Sequence, residues 1–153
     1  EAAEKSGEKK HTGVLKEIKK TWIADGKVRL VYRHFPLDGL ALRAAAVANC
    51  IEGDRYFAFL DILFENQRQW AANPDPLKVL GQYAKLAGLS QERFDACAND
   101  QAEMDKILTF AQEGRAAYNV NSTPTVIVND KKFEGERSFE RLEAAFRKIV
   151  PGA

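Results

Sequence analysis

The sequence predicts an α/β fold in which two short strand regions bracket a long run of helices. Three observations point to it. Residues 28–35, Val28-Arg29-Leu30-Val31-Tyr32-Arg33-His34-Phe35, are dense in β-branched and aromatic side chains and stop at Pro36, which reads as a strand in the body of a sheet. Thr125-Val126-Ile127-Val128 is a second β-branched run, placed directly behind Thr123-Pro124. The stretch between them has apolar residues at helical spacing.

Taken in order, residues 1–10 are mostly charged and carry no large apolar side chain. Burial cannot offset the entropy of ordering such a segment, so a flexible charged tail is expected. Thr12 can cap a helix whose inward face is Val14, Leu15, Ile18 and Trp22 and whose terminator is Gly26. After the first strand region, residues 40–51 form an alanine-rich helix closed by Gly53. Residues 56–70 form an amphipathic helix clustering Phe57, Leu60, Leu63 and Phe64. Asn73-Pro74 breaks the pattern, Asp75 caps, and Pro76 takes the first helical position of a helix carried by Leu77, Leu80, Tyr83, Ala84 and Leu86 to Gly88.

Ser90 opens a short helix with Phe94 and Cys97 on one side. Residues 101–118 are a long helix with Met104, Ile107, Leu108, Phe110 and Ala111 inward. Behind Thr123-Pro124 come the strand 125–128, a hairpin-like turn at Asn129-Asp130 and a short charged edge strand at 132–134. The last helix, 138–150, buries Phe139, Leu142, Ala145, Phe146 and Ile149. No internal repeat or low-complexity tract interrupts this course.

Composition narrows the function classes. A chain of 153 residues, 45% hydrophobic, can bury a real core. A formal net charge of +1 gives no basic face for nucleic acid. No apolar run reaches membrane-spanning length and no signal peptide is present, so an exported protein would be seen here in mature or trimmed form. His11 and His34 have no carboxylate or cysteine close by in sequence, so neither a metal site nor a cofactor is expected. His34 reads as a satisfied, half-buried side chain. Glu134 and Glu136 read as a solvated edge, and Tyr56, Phe57, Phe59, Phe64 and Trp70 as core.

Pro124 belongs at the first residue of its strand, because its ring fixes φ and it offers no N–H to a ladder. The Thr123-Pro124 peptide is therefore a candidate for the cis isomer. Together with the Phe35-Pro36-Leu37 exit of the first strand region and the Phe94-Asp95-Ala96-Cys97 helix, this turn resembles the DsbA-like thiol-disulfide oxidoreductases of the thioredoxin superfamily. The resemblance runs from about His11 to Pro151. It implies a thioredoxin-like domain from residues 11–37 and 119–153, a helical insert over 38–118, and the charged tail 1–10. It further implies that Thr123 lends its backbone to a bound substrate strand while Pro124 shapes the loop.

The family works through a Cys-x-x-Cys pair at the start of its first helix, a few residues upstream of the position His11 matches. This chain has no such pair: its cysteines are Cys50 and Cys97 alone. The resemblance thus implies a fold whose N-terminal strand and redox motif are absent from this sequence, and no catalytic residue is assigned. For Cys50 and Cys97 a redox pair, two buried thiols and a structural disulfide were weighed; some DsbA-like proteins carry an extra bridge in the insert, and the structural disulfide is the expectation. A bridge would favour an oxidising compartment, periplasmic or otherwise extracytoplasmic.

By resemblance the partners are cysteine-containing protein substrates and a redox partner protein. Three function readings follow: a thiol-disulfide oxidoreductase family member, inactive as this chain; a non-catalytic module that binds peptides or self-associates; and a glutathione-handling relative with Ser6 as its serine. A sheet without its middle strand exposes unpaired backbone and apolar faces, which is the ground for expecting self-association.

Overall fold

The computed structural model describes residues 13–150. Helix α1 is α-helical through residue 18 and finishes as a π-helical Lys19–Ile23. Gly26, at φ +70°, turns the chain back, and the amides of Lys27 and Val28 donate to the Trp22 carbonyl at 3.0 and 3.1 Å. The widened end of the helix thereby has its last carbonyls satisfied. Residues 1–12, with the expected charged tail, the Thr12 cap, His11 and Ser6, lie outside the described residues.

Two compact units form. The first holds the described residues up to Tyr32 together with those from Ser122 onward. Its core is Ile18 and Trp22 from α1 with Leu142 and Phe146 from helix α8 (Phe139–Ile149). Trp22 meets Phe146 edge to face, with centroids 5.4 Å apart and planes at 62°, a favoured aromatic geometry. Against this core pack Val126, Val128 and Phe133 of an antiparallel hairpin, β1 (Ile127–Val128) and β2 (Lys131–Lys132), in the register Ile127↔Lys132 and Val128↔Lys131. A lone hairpin is marginal in water, so this apolar cover is what sustains it. Asn129 and Asp130 both have positive φ, the conformation that a tight two-residue connection demands.

The sheet is smaller than the sequence predicts. Residues 28–35 do not join it, although Val28, Leu30 and Tyr32 are partly buried and Arg29 and Val31 exposed, the period of a strand. Pattern alone does not make a ladder: among the described residues no strand lies hydrogen-bonded alongside. For the same reason β1 is shorter than 125–128, and β2 is Lys131–Lys132 rather than 132–134. One further bond, from the Phe133 amide to the Val126 carbonyl at 2.8 Å, extends the pairing.

The second unit, Arg33–Asn121, is built around helix α2 (Gly39–Asn49). Its Ala44, Ala45, Ala46, Val47 and Ala48 are all buried, and α3 (Asp54–Glu65), α5 (Pro76–Leu86), α6 (Gln91–Ala98) and α7 (Gln101–Tyr118) contact it. Small side chains on every face let these neighbours approach closely. Met104 and Ile107 of α7 close over Ala45 and Ala46. Side-chain caps start the helices at Asp75 and Ser90 as the sequence signals, accepting from the Lys78 and Arg93 amides, and further caps stand at Asp100, accepting from Glu103, and Asp38, accepting from Ala41.

One helix expected over 56–70 is two. The Asn66 side-chain amide donates to the Ile62 carbonyl at 2.9 Å, which competes with helix continuation, and α4 (Gln67–Ala71) starts anew. The break lets Trp70 turn inward, its indole N–H donating to the Leu63 carbonyl at 2.8 Å. Phe64, Leu86, Leu108, Phe110 and Ile149, all expected inside, are 39–79% exposed. Each sits beside the buried stripe of its helix, which is narrower than the apolar stripe of the sequence.

Gly88 is required twice over, since its φ is +93° and an added Cβ would collide with the Arg55 guanidinium. Substitution Gly88→Ala is expected to cost about 1 kcal/mol, because the guanidinium can swing aside but the backbone cannot. Leu80→Ala, which empties a fully buried position in α5, is expected to cost about 2–5 kcal/mol. Urea unfolding followed by far-UV circular dichroism measures both, and the two costs should differ in that order.

Candidate functional site

The loop that leads into β1 is organised by its own residues. The Thr125 hydroxyl donates to the Ser122 carbonyl at 2.7 Å, closing a tight turn around Thr123 and Pro124. The Thr123-Pro124 peptide is cis. Both residues are exposed. Among the described residues no backbone–backbone hydrogen bond engages Thr123, which lies just before the hairpin. Chemically this is a place where an extended chain can pair through its main chain, with specificity left to the side chains on either side.

Cys50 and Cys97 are brought together. Their sulfurs are 2.08 Å apart and their Cα atoms 6.3 Å apart, joining the end of α2 to α6 across a sequence separation of 47. No free cysteine remains among the described residues. A sulfur held in a disulfide is not a thiolate, and the thiolate is the attacking species in exchange.

A third cluster, in the second unit, was only partly legible. His34 Nε2 lies 3.0 Å from Asn49 Oδ1 and 3.1 Å from the Tyr56 hydroxyl. The Asn49 amide nitrogen donates to Glu103 Oε1 at 2.8 Å, and Lys106 Nζ donates to Glu103 Oε2 at 3.2 Å. Because the Asn49 nitrogen is committed to the carboxylate, its oxygen faces the ring and calls for the Nε2–H tautomer. Burial lowers the His34 pKa below 6.5, opposed by the Asn49 bond and the Glu103 charge. Burial raises that of Tyr56, opposed by Arg33. His34 alone was readable as a satisfied histidine; its partners are 15, 22 and, through Asn49, 69 residues away in sequence, separations no local pattern reports.

Two cation–π contacts flank this histidine. The Arg33 guanidinium lies 4.9 Å from the Phe110 ring centre, and that of Arg115 lies 4.8 Å from the Phe35 ring centre. Each segment thus gives one cation to the other's aromatic ring. Glu134 and Glu136 are exposed. Among the described residues no three histidine, cysteine or acidic side chains gather as a metal site, and no helix is long and apolar enough to cross a membrane.

The fold and the loop define a thioredoxin-like protein, and a thioredoxin family profile matches residues 9–148. The chain belongs to that family. Within it, it is a DsbA-like relative: the crystal structure of Wolbachia pipientis alpha-DsbA1 superposes with a TM-score of 0.78 at 28% identity, covering 88% of this chain and 74% of that one. A Rickettsia felis protein named for protein-disulfide oxidoreductase activity is 26% identical over 142 residues, covering 92% of this chain and 50% of its own length. A Mycobacterium Na(+)/H(+) antiporter, strain KMS, is 32% identical over 128 residues, 81% of this chain but 20% of that protein. A protein-disulfide isomerase from Novosphingobium aromaticivorans, 18% identical with a TM-score of 0.61, shares the fold. The chain spans about half the length of the Rickettsia relative it matches.

The disulfide makes a stability prediction. Closing a loop of 47 residues removes about 4 kcal/mol of unfolded-state freedom in the chain-entropy account. The double substitution Cys50→Ala with Cys97→Ala should lower the urea midpoint by an amount equivalent to roughly 2–4 kcal/mol. Reducing agent should do the same to the parent chain and nothing to the double variant.

Proposed function

We propose that this chain is the substrate-holding part of a thiol-disulfide oxidoreductase acting on cysteine-containing proteins. Thr123 and Pro124 are its substrate-binding residues. The observation that carries this reading is the exposed Thr123-Pro124 loop, with a main chain at Thr123 left open for an incoming strand. The family relation supports the chemical class. Residues 1–153 contain no Cys-x-x-Cys, and their two cysteines are bound to each other. The chain as written therefore has no nucleophile for exchange and is inactive in it.

In the intact reaction a thiolate attacks a substrate disulfide, or a substrate thiolate attacks the enzyme's, and a mixed disulfide forms with one sulfur leaving as thiolate. The loop's task in that sequence is to hold the substrate backbone so that its sulfur is presented along one line. A redox partner protein resets the dithiol state. The Cys50–Cys97 bridge supports an extracytoplasmic, oxidising location.

The second reading is a non-catalytic module that binds extended peptides or a second copy of itself. The match confined to a fifth of an antiporter supports the idea that this fold can serve as one part of a larger protein. The irregular stretch 28–32 with strand-like alternation supports self-association through strand addition.

Two measurements separate these readings. The 153-residue chain should show no reduction of insulin and no oxidation of a dithiol peptide; turnover matching an intact family member would overturn the assignment of inactivity. A cysteine-to-serine extended peptide should bind in a titration calorimeter, and its N-methylated counterpart, which cannot pair with the Thr123 carbonyl, should bind at least tenfold more weakly, a loss of about 1.4 kcal/mol. Equal binding of both peptides would remove Thr123 from the site.

A further inference from the structure

The His34 cluster has no part in that function, and its construction points to a role of its own. Segment 33–35 is fastened to the helical unit at three consecutive residues: Arg33 on the Phe110 ring of α7, His34 on Asn49 of α2 and Tyr56 of α3, and Phe35 under Arg115 of α7. The middle fastening is the titratable one. We propose that His34 is an acid-released latch, holding segment 33–35 against α2, α3 and α7 while its ring is neutral and letting go when the ring takes a proton.

The argument is electrostatic. A neutral imidazole in the Nε2–H form donates to Asn49 at no cost in charge. A protonated one must sit half-buried, where desolvation acts against the charge; the flanking cations Arg33 and Arg115 are turned to the Phe110 and Phe35 rings. The other groups facing it are Tyr56 from α3 and Glu103 from α7. Glu103 reaches the ring only through Asn49, and its second oxygen is taken by Lys106. Glu103 favours the charged ring, and its carboxylate is shared with Asn49 and Lys106. The Tyr56 ring meets it edge to face, with centroids 6.2 Å apart and planes at 84°.

The sign follows from linkage. Burial lowers the folded-state pKa below the 6.5 of the free side chain. The closed cluster then binds fewer protons than the open one, so its stability is complete above pH 6.5 and is lost as pH falls below that value. Between the two pKa values the open-to-closed ratio climbs by up to ~10-fold per pH unit. Asn49 precedes Cys50, so the latch and the disulfide act on the same end of α2.

The test is a ring titration by NMR on the intact chain, joined to urea unfolding at pH 7.5 and pH 5.0. The His34 midpoint should lie below 6.5, and the unfolding constant of the parent should rise several-fold more on acidification than that of His34→Gln, whose amide can still donate to Asn49. Asn49→Asp, which sets a carboxylate directly on Nε2, should move the midpoint upward. A midpoint at or above 6.5 overturns the latch, as does equal acid sensitivity of parent and His34→Gln. Should His34→Gln fail to fold, the parent midpoint and its displacement in Asn49→Asp decide alone.

Discussion

The burial of α2 is the constraint on which the helical unit depends. A helix whose buried residues are four alanines and one valine has little area of its own to bury, yet it is covered by α3, α5, α6 and α7. What the small side chains supply is proximity: partner helices come close enough for Met104, Ile107 and Phe94 to fill the remaining space. Such a helix has few handles by which its position along its axis can be set. One is Arg43, which donates to the Ala98 carbonyl and to Asn99 Oδ1 at the end of α6; the others are at the C-terminal end, where Asn49 enters the His34 and Glu103 network and Cys50 is bonded to Cys97 of α6. A covalent bond and a polar chain at adjacent residues fix register where packing alone would allow sliding.

The first unit solves a different problem with fewer residues. Its sheet, two strands of two residues, contributes little pairing energy. Stability comes from Trp22, Phe146, Ile18 and Leu142, with hairpin side chains laid against them. Two cations add to this: Lys27 and Arg147 lie 5.8 and 5.6 Å from the Trp22 ring centre, while Arg147 also pairs with Glu143 at 3.0 Å. The surface ion pair contributes little by itself. Held over an aromatic ring, its guanidinium instead shields the edge of the core from water. The Thr123-Pro124 loop is thus mounted on a hairpin that owes its shape to helices α1 and α8.

Legibility in the sequence divides along the range of the interactions. Caps at Asp75 and Ser90 depend on contacts three residues apart, and the residues name them directly. The thioredoxin-like class was legible through the family resemblance that Phe35-Pro36-Leu37, Phe94-Asp95-Ala96-Cys97 and Thr123-Pro124 carry together, and the turn itself because a proline before a β-branched run has few places to go. Residues 28–35 misled because alternation records which side chains face inward, not whether a neighbouring strand is there to bond. Phe64, Leu86 and Phe110 misled because a hydrophobic stripe on a helix overestimates its buried stripe, and part of an ordinary surface is apolar. Asn66 was overlooked as a helix breaker, although a side-chain amide able to reach the carbonyl four residues back is a local signal.

The chemistry assigned to the cysteines follows from position and exposure. An exchange pair works when one sulfur is an exposed thiolate and its partner stands ready to resolve the mixed disulfide. Cys97 is buried at 5% exposure in a short helix between Ala96 and Ala98, and the half-exposed Cys50 caps the end of α2. A substrate large enough to carry its own disulfide has no approach to Cys97 unless α6 leaves its place. That departure would uncover Phe94 and Ala98 together with the sulfur, at an apolar burial cost of about 2–3 kcal/mol for the phenylalanine alone. The bridge therefore behaves as a fastening of the scaffold.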